Sequence, residues 1–145
     1  MRKLLITLML GAAMIAPAYA DITCGRAMVE IGASGNNPVV STTVSITDHV
    51  WSVLHTLRDG TVVDRSLQYV MVDQSNEYKV QWRGPLVTNP NLVMIGEVKV
   101  LDATGQPVYH EWLYDYGHGG RLVMHSMALC RNNPVPAYTT DQPSE

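Results

Sequence analysis

Phenylalanine is absent from the 145 residues, cysteine occurs only twice, and charged residues make up just 16% of the chain. Without Phe, the bulk of a core must come from Trp51, Trp82, Trp112, the tyrosines and the aliphatic side chains. Two distant cysteines cannot build a structural zinc site, which takes four ligands. No Lys/Arg block follows Arg2-Lys3, so nucleic-acid binding is disfavoured. No apolar run reaches the ~20 residues that a membrane-spanning helix needs. Catalytic signatures are missing as well. Gly32-Ala33-Ser34-Gly35 has the wrong spacing for a nucleophile elbow. His110-Glu111 lacks the second His of a zincin helix, because Tyr114 stands in its place. Gly117-His118-Gly119-Gly120 lacks the Lys-Ser/Thr of a phosphate-binding loop. The residues therefore assign no catalytic group, no resident metal and no cofactor.

What is present begins with an address. Arg2 and Lys3 precede an apolar run from Leu4 to Ile15, Pro17 breaks it, and Ala18-Tyr19-Ala20 offers small residues to a signal peptidase. Residues 1–20 read as a cleaved signal peptide, which implies an exported protein, periplasmic or secreted and of bacterial type. Its removal takes two of the ten Lys/Arg and none of the 13 Asp/Glu, leaving about 125 residues with a net charge of −5. That length suits one domain, expected over 21–131. The segment 132–145 carries three prolines and little to bury, and is expected to be a flexible tail. In an oxidising compartment Cys24 and Cys130 read as a disulfide. Closing a loop of that length stabilises a fold by about 4–5 kcal/mol in the chain-entropy view.

Turn signals recur through the domain: Asn36-Asn37-Pro38, Asp59-Gly60, Ser75-Asn76, Asn89-Pro90, Thr104-Gly105 and Gly117-His118-Gly119. The stretches between are rich in Val, Thr, Tyr and Trp, which predicts an all-β fold, a small antiparallel barrel or sandwich of about eight strands. Strands are expected near 24–31, 39–46, 50–57, 61–72, 77–83, 92–101, 107–116 and 120–130. Thr47 to Gly60 also fits a capped helix, but its Val, Trp and Thr are weak helix formers and Asp-Gly favours a hairpin. Export, size, strand content and one disulfide together resemble small periplasmic inhibitors and lipocalin- or avidin-like binders in outline, an analogy of architecture that assigns no residue a role.

Reading Arg58-Asp59-Gly60, Ala103-Thr104-Gly105 and Gly117-His118-Gly119 as three-residue hairpin loops sets a register. It places Asp115 opposite Arg121, Glu111 opposite His125, Val100 opposite Val108 and Gly96 opposite Trp112. The core face of the last three strands then holds Val98, Val100, Val108, His110, Trp112, Tyr114, Leu122, Met124 and Ala128. Glu97, Lys99, Glu111, Asp115 and Arg121 point outward, which argues against a membrane barrel with an apolar outer band. Trp51, Val53, His55 and Leu57 face Val63, Arg65, Leu67 and Tyr69 across the earlier hairpin.

The inward polar residues His55, Arg65 and His110, near Trp51, Trp82 and Trp112, form the candidate ligand-binding set. An interior with aromatic walls and a few convergent polar groups is what a small-molecule cavity requires. For Arg65 the favoured reading is a rim position paired with a carboxylate, since buried charges need partners. The expected function is non-catalytic binding of a small molecule or partner protein. The alternatives are a hydrolase inhibitor acting through the loop 84–91, or an enzyme built on the His and Glu residues. An outward row of Glu97, Glu111 and His125 has metal-ligating chemistry but is expected to be wet and to hold no tight metal.

Overall fold

The computed structural model describes residues 19–32, 36–101 and 103–131. The expected signal peptide up to Ala18 and the expected tail 132–145 lie outside the described residues. The strands are β1 (Tyr19–Cys24), β2 (Met28–Ile31), β3 (Val39–Thr47), β4 (Val50–Leu57), β5 (Val62–Asp64), β6 (Val72–Asp73), β7 (Val80–Leu86), β8 (Asn89–Leu101), β9 (Gln106–Asp115) and β10 (Arg121–Leu129). A single helical turn, α1 (Arg65–Gln68), links β5 to β6. They build two antiparallel sheets, β1-β3-β4-β5 and β2-β10-β9-β8-β7-β6. The architecture is a sandwich, not a closed barrel. Cleavage after Ala20 would leave the Ile22↔Val44, Thr23↔Thr43 and Cys24↔Thr42 pairs of β1 in place.

The chain changes sheet at places where strand residues give out. The stretch expected as one strand over 24–31 is two, because Gly25 to Ala27 carry the chain from the small sheet to the edge of the large one. The expected strand 61–72 also divides. Asp64 accepts a hydrogen bond from the Ser66 amide and caps α1, so Arg65 begins a helical turn and Leu67 is exposed. The core between the sheets is filled by Ile22, Val44, Ile46, Trp51 and Val53 from one side and Val80, Trp82, Met94, Val98 and Tyr109 from the other. Cys24, ending β1, is bonded to Cys130, just past β10, with Cα atoms 3.7 Å apart. The disulfide staples one sheet to the other.

Residues 50–57 are strand, as their β-branched content favours. Gly60, at φ 84°, closes the β4–β5 hairpin in the expected register, His55 opposite Val63. Asp48 and His49, both at positive φ, make the two-residue turn between Thr47 and Val50. The segment 84–91 is not a protruding loop. Pro85 pairs with Val93 and Leu86 with Asn89, so only Val87 and Thr88 turn the chain.

One strand is inverted relative to the sequence reading. The β8–β9 connection pairs Leu101 with Gln106, so four residues turn there where three were expected. Gly96 consequently faces Glu111, and Val100 faces Pro107. A one-residue slip sends every side chain of a strand to the other face. Between β9 and β10 the pair Asp115↔Arg121 is as expected, but a bulge at Val123 shifts the rest, giving Ser126↔Glu111 and His125↔Trp112. The two shifts compensate. Val98, Met124 and Ala128 keep their inward direction, while β9 alone turns Tyr109, Glu111 and Leu113 inward and His110 and Trp112 outward.

Candidate functional site

The inversion of β9 creates two polar constellations, one on each side of the large sheet. The inner one centres on Glu111, 2% exposed. His55 Nε2 lies 3.0 Å from its Oε1, and Tyr109 donates to the same oxygen at 3.2 Å. Arg65 donates from Nε to Oε1 at 3.3 Å and from Nη2 to Oε2 at 3.2 Å, and anchors its Nη1 on Gln68 at 2.7 Å. Thr42 Oγ1 sits 2.8 Å from His55 Nδ1, and Trp82 donates to the Tyr109 hydroxyl at 3.0 Å. The network therefore runs from β3 and β4 of the small sheet to β7 and β9 of the large one. Gly96 makes room for it: a Cβ there would lie 1.9 Å from the Trp82 indole nitrogen and 2.5 Å from the Tyr109 oxygen.

Burial by itself would raise the Glu111 carboxyl, but the charge of Arg65 and the bonds from His55 and Arg65 outweigh it and hold the group at about 2. Tyr109 is pushed well up, first by burial and then by the Glu111 charge. The network meets water at Arg65, whose side chain is 17% exposed. A Thr-His-Glu sequence of contacts has the order of a nucleophile triad, but Thr42, His55 and Glu111 are 1–3% exposed. Two surface pockets, both lined by Gly25 and Leu129, do not reach them. These residues link the two sheets by hydrogen bonds, with the Arg65–Glu111 ion pair at the centre. Pairing of Arg65 with a carboxylate is as the residue's position suggested, but its partner Glu111 was expected outside.

The outer constellation lies on the exposed face of the six-stranded sheet. One row crosses five strands: Arg83, Ile95, Trp112, His125 and Ile31, each paired with the next. The row beside it runs Glu97, His110, Met127 and Met28. The expected row of Glu97, Glu111 and His125 does not exist. The rings of His110, Trp112 and His125 lie 5.0–5.2 Å apart and within 10° of parallel. Glu30 Oε2 is 2.8 Å from His125 Nδ1, and His125 Nε2 is 2.9 Å from His110 Nδ1. A carboxylate, two imidazoles and an indole face thus form one connected unit. Burial and the neighbouring His125 hold His110 below its ordinary range. Arg83 flanks the unit, donating to the Tyr116 hydroxyl at 2.9 Å, with Tyr114 beside that ring.

The structure thus divides the sequence-derived set. His55, Arg65 and Trp82 meet at the buried network. Trp51 is buried elsewhere and donates to Asp73 at 2.8 Å. Asp73 also contacts His49, in a carboxyl held low by bonds from Ser75, Trp51 and His49 against the opposing effect of burial. His110 and Trp112 are on the opposite side of the sheet. Sequence reasoning missed Glu30, Thr42 and Tyr109, and put Glu111 and His125 side by side in one outward row when only His125 faces out. Nothing local marks them, since each acquires its role from a strand distant in the chain.

Among the described residues no three His, Cys, Asp or Glu side chains converge as a metal cluster. No described helix is long and apolar enough to cross a membrane. No protein-family model, curated protein or solved structure matches the chain.

Proposed function

We propose that this is an exported, non-catalytic binding module that takes a small molecule or partner protein on the outer face of its six-stranded sheet, at Trp112 and the two imidazoles packed on it. The disulfide between Cys24 and Cys130 supports an oxidising compartment. A filled interior argues for the face over an internal cavity: Trp82, Tyr109 and Met94 plug the core, and the described buried polar atoms all have partners. The observation that carries the reading is the half-buried indole stacked with His110 and His125 on an open sheet face. Large apolar groups there are informative because water gains nothing from them. Met28, Ile31 and Leu129 extend the apolar character along the edge, each about 40% exposed.

Tryptophan fluorescence tests it directly. Trp51 and Trp82 are 4% and 0% exposed, so acrylamide quenching and any ligand response should come from Trp112. Native mass spectrometry of protein recovered from its own cells should show a retained molecule or partner that Trp112→Ala loses. Retention at equal occupancy in Trp112→Ala would sink the assignment of this face.

A further inference from the structure

We infer that His110 and His125 form a two-imidazole site for a divalent late transition metal, copper(II) ahead of nickel and zinc, with Glu30 as the positioning residue. The inference deepens the binding reading by naming a ligand class for the same face, and rests on it only in using that face. Three geometric observations carry it.

First, the nitrogens His110 Nδ1 and His125 Nε2 are 2.9 Å apart, at hydrogen-bond distance. With imidazole nitrogens about 2.0 Å from a metal, a right-angled pair of ligands spans about 2.8 Å and a tetrahedral pair about 3.3 Å. The observed spacing matches the right angle of tetragonal copper or nickel, which also stand highest in intrinsic affinity for nitrogen sites. Binding turns the two lone pairs toward a common point: the metal takes the place of the proton on His110 Nδ1, and that imidazole stays neutral by carrying its proton on Nε2 instead, exchanged through solvent. Water completes the coordination.

Second, Glu30 accepts from the other nitrogen of His125, at 2.8 Å. A carboxylate behind a ligating imidazole fixes its tautomer and makes the free nitrogen a better donor. Third, the pair is pre-oriented. The ring planes of His110 and His125 differ by 10°, and Trp112 lies within 7° of His110 and 3° of His125. Less side-chain freedom is lost on binding than for two isolated surface histidines.

The test titrates the purified protein separately with Cu2+, Ni2+ and Zn2+, reading Trp112 fluorescence and calorimetry. The expected result is one Cu2+ per chain with a micromolar dissociation constant, strong quenching, and weaker Ni2+ and Zn2+ binding. His110→Phe and His125→Phe keep a ring in the stack and should each abolish it. Glu30→Gln should weaken it about tenfold or more. His49→Ala with His118→Ala, which removes the two exposed histidines, should leave it unchanged. No quenching at 100-fold excess Cu2+, or binding that survives His110→Phe, overturns the inference. A retained molecule or partner that still requires Trp112 would leave the binding reading standing in that event.

Discussion

Replacing Glu111 with Gln keeps the volume of the side chain and removes its charge, so it isolates the electrostatics of the buried network. In the native protein the carboxylate takes bonds from His55, Tyr109 and, twice, Arg65. The amide keeps one acceptor oxygen and presents an NH2 group to donors that have no use for it. Arg65, largely enclosed, then keeps its charge without a carboxylate. Breaking one partner of a buried ion pair costs about 3–5 kcal/mol, a large share of the roughly 5–15 kcal/mol that holds a domain together. Urea denaturation at pH 7 should show the midpoint falling by about 2 M for a slope near 1.5–2 kcal/mol/M. The double substitution Arg65→Met with Glu111→Leu should recover most of the loss, because no charge is then left unpaired. The pH profile gives a second reading. Folding lowers the Glu111 carboxyl from 4.5 to about 2. Its contribution is therefore complete above about 4.5 and disappears as pH falls toward 2, on the order of 3 kcal/mol across that window. Glu111→Gln should flatten this part of the curve. A loss under about 1 kcal/mol at pH 7, with the acid slope unchanged, would refute the account of Glu111 as the electrostatic link between the sheets.

Three further outcomes follow from the fold. Labelling the native, unreduced protein with a thiol reagent should find no free thiol, and Cys24→Ser with Cys130→Ser should cost about 2–5 kcal/mol in thermal unfolding. Gly96→Ala drives a methyl into the Trp82 indole and should cost about 3 kcal/mol or more, with a shift in the buried-tryptophan emission. His49→Gly relieves a left-handed backbone at φ 65° and should stabilise the β3–β4 turn by up to about 1 kcal/mol, less whatever its contact with Asp73 contributes, as read by differential scanning calorimetry.

The legible parts of the fold were those that local chemistry decides. Glycine at the left-handed position of the β4–β5 turn sets that register. Alternating Val, Thr and Trp make β3 and β4 strands despite the helical spacing of Val50, Val53, Leu54 and Leu57. Two cysteines behind an apolar leader read as a disulfide, and they form one across 106 positions. What was illegible depended on partners far along the chain. The end of β5 is a local exception: Asp64 caps its own short helix through Ser66, ending a strand that residue content alone would continue. The bulge at Val123 has no residue signature, and it sits where Gly32, just past β2, runs so close that a Cβ would lie 1.7 Å from the Val123 carbonyl oxygen.

The inversion of β9 explains why the candidate site was assembled wrongly and also why it merits attention. Both faces of that strand are amphipathic: Val108, His110, Trp112 and Tyr114 on one, Pro107, Tyr109, Glu111 and Leu113 on the other. Hydrophobic patterning prefers the first set inside, because it contains no carboxylate. At Glu111 and Trp112 the protein does the opposite, and it can because Arg65 arrives from elsewhere to neutralise Glu111 in the core and His55 hydrogen-bonds it. A strand that buries a glutamate and leaves a tryptophan half-open forgoes apolar burial on the side where patterning would have placed it. Conflicts of this kind between local pattern and final structure concentrate at functional positions. The half-buried indole with its stacked imidazoles is thus the consequence of a specific arrangement of the core, and the face that carries it is where recognition should be sought first.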